Sequence, residues 1–320
     1  MQLTPIPQLI KPKQLTQGDV IGLITPASAP KDFERVEKAQ NYLRSIGYNI
    51  SVGTNVGKKY GYLAGSDSER LSDLLNMFAN PEIKAIISLR GGYGSGRLIS
   101  QLDFELIKTN PKIFVGYSDI TSLQQAILAQ TGLVTFAGPM GAVDFVNDIS
   151  AFTTNTFWRT ITSTQSIGEV LLPDGVEIKA LVPGSAEGRL IGGNMALFNA
   201  LLGTPYFPNP DNAIIFLEDV GEPPYRIDRM LNQMKNAGIF ARCAGVILGA
   251  FTNCTESDPS TPTLSKEEVF NHYLGDLKVP VVTDFPSGHI KDMVTLPFGA
   301  MVSMETAQTV KVSIIESVVS

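Results

Sequence analysis

The feature that most limits the fold of this chain is an alternation in its first half. Short apolar runs recur at Val20 to Thr25 (VIGLIT), Ala85 to Leu89 (AIISL), Ile113 to Tyr117 (IFVGY) and Leu133 to Ala137 (LVTFA). Runs this short offer no polar face to water, which predicts strands buried on both sides. Helical patterns separate them. Asp32 to Ser45 predicts a helix closed by Gly47, and another follows Ser118 up to Gly132. Ser66-Asp-Ser-Glu69 has the spacing of a capping box, followed by Leu71, Leu74, Leu75 and Phe78 on one helical face. Strand, helix, strand at this spacing predicts a parallel sheet with helices on both faces.

A length of 320 residues suggests about two domains. Residues 1–152 form the first, an α/β domain. Between Thr153 and Gly184 the pattern weakens into Thr, Ser, Pro and Gly, as expected of an interdomain connection over 153–184. Residues 185–320 form a smaller mixed α/β domain. It has predicted helices over Asn194 to Leu202 and Tyr225 to Ala237, strands at Ala213 to Leu217 and Val246 to Phe251, and a strand-rich tail from Val279. No internal repeat or low-complexity segment interrupts it.

Composition removes several functions. A net charge of -6 with no long basic run argues against nucleic acid or an anionic membrane as partner. The opening MQLTPIPQLIKPKQ lacks the apolar core of a signal peptide, and no apolar run is long enough to span a bilayer, so a cytoplasmic location is expected. With 2 His and 2 Cys in the chain, a His-rich or Cys-rich metal site is excluded by count. Cys243 and Cys254 are expected to be reduced thiols.

The richest chemistry lies in Lys112 to Thr121, KIFVGYSDIT, where a strand runs through Gly116-Tyr117-Ser118-Asp119 into a helix. A serine on so sharp a turn exposes its hydroxyl above the sheet, and the amides after it sit at a helix N-terminus that can stabilise an oxyanion. The match to G-x-S-x-G is partial, because Ile120 stands where the second glycine belongs. Ser118 therefore reads either as a nucleophile or as a helix N-cap. A nucleophilic serine needs a base. His272 lies on an amphipathic helix pattern over Lys266 to Leu277, whereas His289 sits in the turn-rich Phe285-Pro-Ser-Gly-His289. Glu218, at the end of the buried run Ala213 to Val220, could orient that imidazole or else pair with Arg226 or Arg229. The loop Arg90-Gly-Gly-Tyr-Gly-Ser-Gly-Arg97 follows a strand and can aim amides at an anion, as an oxyanion loop or a phosphate cradle, or serve packing alone. It fits neither G-x-G-x-x-G nor a Walker A loop.

Taken together, GYLAGSDSERLSDL, RGGYGSGR, VGYSDIT, GRLIGGNMALFNALLGTPY, IIFLEDVGEPPYRIDRML and FPSGH resemble the LD-carboxypeptidase (muramoyltetrapeptide carboxypeptidase) family of serine peptidases, which includes the microcin C immunity peptidases. The resemblance runs from Val20 to Gly299. It implies a Rossmann-like N-terminal domain carrying the nucleophile and a C-terminal domain supplying Glu and His across a cleft. By it, the nucleophile is Ser118, the triad glutamate Glu218 and the base His289. The oxyanion amides are those of Gly92 and Asp119, with no cofactor and no metal. Gly192-Gly193-Asn194 matches a motif near the cleft, without an assigned contact. The implied reaction is hydrolysis of the L,D-amide that releases terminal D-alanine from a murein peptide, and a homodimer is expected. An immunity peptidase acting on an aminoacyl-nucleotide, or a nucleotide- or phosphosugar-binding module built on the glycine loop, are the alternatives.

Overall fold

A computed structural model describes residues 7–146, 149–258 and 260–320. Residues 1–6, which begin the segment read as lacking a signal peptide, lie outside the described residues. The first half runs β1 (Val20–Ile24), α1 (Glu34–Ser45), β2 (Asn49–Val52), α2 (Asp67–Ala79), β3 (Ile83–Ser88), α3 (Phe104–Thr109), β4 (Ile113–Gly116), α4 (Thr121–Thr131), β5 (Thr135–Ala137), α5 (Gly141–Asp144) and α6 (Ala151–Thr162). The second runs β6 (Gly168–Glu169), β7 (Lys179–Val182), β8 (Ser185–Asn194), α7 (Met195–Ala200), β9 (Ile214–Val220), α8 (Pro224–Asn236), β10 (Gly245–Thr252), α9 (Lys266–Leu274), β11 (Val281–Thr283), β12 (Leu296–Phe298), β13 (Met301–Glu305) and β14 (Lys311–Ile314).

The strands form a six-stranded sheet, ordered β12-β5-β4-β3-β1-β2, and an eight-stranded sheet, ordered β6-β14-β13-β8-β9-β10-β11-β7. In the first, β1 to β5 are parallel, as the alternation predicts, and every residue of β4 is buried. The short polar edge strand β2 escapes a hydrophobic reading because none of its four residues is fully buried. The predicted capping box forms: Glu69 N donates to Ser66 Oγ, and Ser66 N donates to Glu69 Oε2 at 2.8 Å. Gly132, with φ 77°, ends α4 in the left-handed region.

Two features bind the halves together. First, β12, far along the chain, returns to pair antiparallel with β5 and closes the edge of the first sheet. Second, α4 is buried around almost its whole circumference, polar residues included. A helix with no water-facing side must lie between layers, and α4 packs against β5 and β12 on one hand and β8 and α7 on the other. Its buried Gln124 donates to the carbonyls of Gly116 and Phe136 at the sheet ends, so the helix that follows Ser118 is fixed to the first sheet.

The parallel strands β8, β9 and β10 centre the second sheet. Its longest strand, β8, is hidden in the sequence by Gly188, Gly192 and Gly193, which lower strand propensity. The glycines are there for approach. At Gly192, with φ 123°, an added methyl would run into the Phe216 carbonyl of β9. The stretch 153–184 holds most of α6 followed by β6 and β7, which lie on opposite edges of the second sheet. Cys243 and Cys254 are buried free thiols.

Candidate active site

Ser118 is the first residue of a 3-10 turn, Ser118–Ile120, that leads from β4 into α4. Its φ of 62° is in the left-handed region, which costs a residue with a Cβ on the order of 1–3 kcal/mol. Surrounding glycines allow it. A methyl on Gly91 would lie 3.1 Å from Ser118 Oγ, and one on Gly116 would lie 2.8 Å from the Ile120 side chain. Ile120 therefore takes the place of the missing glycine of G-x-S-x-G by packing over Gly116. The hydroxyl of Ser118 caps neither the 3-10 turn nor α4, so the N-cap reading fails.

Glu218 emerges near the end of β9 with its side chain only 3% exposed. It does not pair with Arg226, which bonds Glu222 instead. Its Oε2 lies 2.7 Å from His289 Nδ1. The approach depends on Gly288 at φ 125°, where a methyl would lie 2.7 Å from that same oxygen. Thr252 Oγ1 donates to the His289 carbonyl at 3.0 Å and holds the loop from the β10 side. Burial disfavours the imidazolium, but the Glu218 hydrogen bond and charge, with Asp219 and Asp144 behind them, outweigh it and raise the His289 pKa above 6.5. The Tyr117 ring, from the residue before Ser118, meets the imidazole edge-to-face at a centroid distance of 5.0 Å. The elbow and the histidine loop are thus neighbours, although among the described residues no hydrogen bond joins Ser118 Oγ to the imidazole. His272 is exposed on α9.

The glycine loop is moored to the elbow. Asp119 accepts from the amides of Gly94 (3.3 Å) and Ser95 (2.8 Å), and Ser95 Oγ donates to the Asp119 carbonyl. Two amides that a phosphate would need are therefore occupied by a carboxylate. Ser28 Oγ accepts from Tyr93 N and donates to the Tyr62 carbonyl, holding the loop from the other side. Gly92, at φ 100°, has an N–H with no acceptor among the described residues, as an oxyanion donor requires. Gly192-Gly193-Asn194 gains its contact here. Asn194 N donates to Thr121 Oγ1 at 3.1 Å, while Asn194 Nδ2 donates to Asp219 Oδ1 at 2.9 Å. The motif straps the first turn of α4 to the residue beside Glu218.

Tyr117, inside the elbow motif but given no role of its own by the sequence, and Asp144, which gave no signal at all, also join the site. Tyr117 OH donates to Asp144 Oδ1 at 3.5 Å, and Met140 N donates to Asp144 Oδ2 at 2.7 Å. Burial pushes the Asp144 carboxyl up to about 6 against those hydrogen bonds, and burial likewise pushes Asp219 up to about 6. A lone aspartate on a four-residue helix has no periodicity to mark it. Beyond the His289 loop lies a cavity of about 640 Å³ with an apolar floor of Phe251, Phe270 and Phe285. Val176 and Leu181, from the stretch that carries no readable motif, line it too. Among the described residues no His, Cys, Asp and Glu cluster is arranged to hold a metal, and no helix is long and apolar enough to cross a membrane.

Residues 21–138 match the family model of the LD-carboxypeptidase N-terminal domain, and residues 187–304 match that of the C-terminal domain. The chain belongs to the LD-carboxypeptidase family. The first model contains Ser118 and the second contains Glu218 and His289, so the family's two domains meet where these side chains do. A probable murein peptide carboxypeptidase of Bacillus subtilis is 41% identical over 312 residues, 97% of this chain and 95% of that one. The microcin C7 self-immunity protein of Escherichia coli is 30% identical, with 95% of each chain covered. Among solved structures, a muramoyltetrapeptide carboxypeptidase from Oxalobacter formigenes superposes with a TM-score of 0.81 at 34% identity, covering 93% of this chain and 99% of that one. The family is one of serine peptidases, in keeping with the hydrolase reading of the elbow.

Proposed function

We propose that this protein is a serine LD-carboxypeptidase that releases terminal D-alanine from murein tetrapeptides. The observation that carries the mechanism is the 2.7 Å bond between buried Glu218 and His289, facing a strained serine elbow across the junction of two sheets. Ser118 Oγ attacks the carbonyl on the L-centre of the third residue while His289 takes its proton. Glu218 holds the Nδ1–H tautomer and stabilises the imidazolium. The amides of Gly92 and Asp119 receive the oxyanion, each donor contributing about 3–4 kcal/mol to the transition state. His289 then protonates the leaving amine of D-alanine, and water attacks the acyl-enzyme by the reverse proton path. A place in the cytoplasm, where cell-wall peptides are recycled, and a homodimeric assembly complete the reading. Sedimentation of the purified protein tests the latter.

The test follows D-alanine release by mass from an L,D-tetrapeptide and from the corresponding D,D-linked pentapeptide. The tetrapeptide is expected to be cut, and Ser118→Ala to lower kcat by about 10⁶ without a change of Tm. Cleavage of the pentapeptide alone would remove the LD assignment and leave a serine hydrolase. The 30% identity to the self-immunity protein supports a second reading, in which an acyl-sulfamoyl aminoacyl-nucleotide is the better substrate. Comparing kcat/KM for the two substrates decides between them.

A further inference from the structure

An exopeptidase has a requirement that the triad does not meet. It must recognise the free carboxylate at the chain end, which lies three bonds, roughly 3–4 Å, from the scissile carbonyl carbon. A guanidinium is well suited to that task, because its planar fork matches both carboxylate oxygens. The cation must therefore stand beside the oxyanion donors and must not already be engaged by an acid.

Arg90 meets both conditions. It directly precedes Gly91, whose missing side chain leaves room for Ser118 Oγ, and Gly92, whose amide is unbonded among the described residues. A methyl on Gly92 would lie 3.9 Å from Arg90 Nε. Three consecutive residues thus place a cation, a space for the nucleophile and an oxyanion donor side by side. The side chain is exposed, and Arg90 Nη1 donates to the Ala29 carbonyl at 2.7 Å. That bond braces the arm against the loop containing Ser28 and leaves the other donors for a ligand. The neighbouring cations are engaged: Arg70 and Arg97 both bind Asp67, and Lys58 binds Glu69. Among the described residues Arg90 has no acidic partner. Asp119 occupies the Gly94 and Ser95 amides, which leaves the Arg90 guanidinium as the free anion-binding group of the loop among the described residues.

We infer that Arg90 binds the C-terminal carboxylate of the substrate and so confers the preference for chain ends. The inference rests on the carboxypeptidase reading and adds its recognition element. Lys291, an exposed cation just beyond His289 in the chain, lines the cavity behind that loop and serves as the comparison.

The test measures kcat/KM for a tetrapeptide ending in D-alanine and for the same peptide ending in D-alaninamide. It uses the wild type, Arg90→Gln, Arg90→Lys and Lys291→Gln, with Tm recorded for each. The wild type is expected to favour the acid by about 100-fold, and Arg90→Gln to lose most of that factor on the acid while its amide rate stays within about threefold. Arg90→Lys should restore part of the preference, and Lys291→Gln should keep all of it. An equal loss on both substrates in Arg90→Gln at unchanged Tm would overturn the inference, as would loss of the acid preference in Lys291→Gln. If the wild type releases no alanine derivative from either peptide, the carboxypeptidase reading fails and this one fails with it; cleavage without acid preference would sink only the present inference.

Discussion

His289 is surrounded by more negative charge than one hydrogen bond supplies. Glu218 bonds its Nδ1, Asp219 and Asp144 add charge at longer range, and the Tyr117 phenol, itself pushed well above 10 by burial, stays neutral. The imidazolium is favoured, so the neutral base is the minor form at pH 6.5. For the wild type, kcat/KM is expected to rise with pH along a limb whose midpoint lies above that value. Removing one negative charge by Asp144→Asn should move the limb to lower pH, and a pH–rate profile of the two proteins checks it. An unmoved limb would mean that Asp144 acts on Tyr117 alone. The linkage to stability has a fixed sign. A histidine pKa raised on folding contributes stability that is fully present below its unfolded value, about 6.5, and is lost as pH rises through the folded value.

At the scale of elements, glycine does opposite things to legibility and to structure. The strands and helices of the first half are visible because their apolar runs and caps are local signals. In β8 the residues that make close strand approach possible are those that weaken the strand signal. Gly192→Ala is expected to destabilise the protein by more than about 3 kcal/mol, because the clash is with backbone that cannot rotate away. Gly168→Ala, also at positive φ but with open space around it, should cost about 1 kcal/mol from backbone strain alone. Urea denaturation of both variants provides the comparison, and equal losses would contradict the role given to packing at Gly192.

For the whole molecule, the arrangement of layers predicts cooperativity. The second half supplies β12 to the first sheet, and α4 is buried between the two sheets with Thr121 bonded to Asn194. Neither half can lose its structure without exposing the apolar face of the other. Thermal unfolding is expected to be a single transition, with the fluorescence of Trp158, which packs among Tyr48, Phe145 and Phe157, coinciding with far-UV circular dichroism. Two separated transitions would show that the halves unfold independently.

The sequence by itself determined the parallel sheet, the elbow that presents Ser118, the glycine loop and the small choice of bases, because each is written in adjacent residues or follows from the scarcity of histidine. It also carried enough ordered motifs to indicate the family. Only the tertiary structure decided that Glu218 bonds His289 rather than an arginine, that Tyr117 and Asp144 stand behind the imidazole, and that Asn194 straps the two halves together. These are contacts between residues far apart in the chain. Whether a carboxylate faces a histidine, an arginine or water depends on how the two sheets meet, and no local pattern records that.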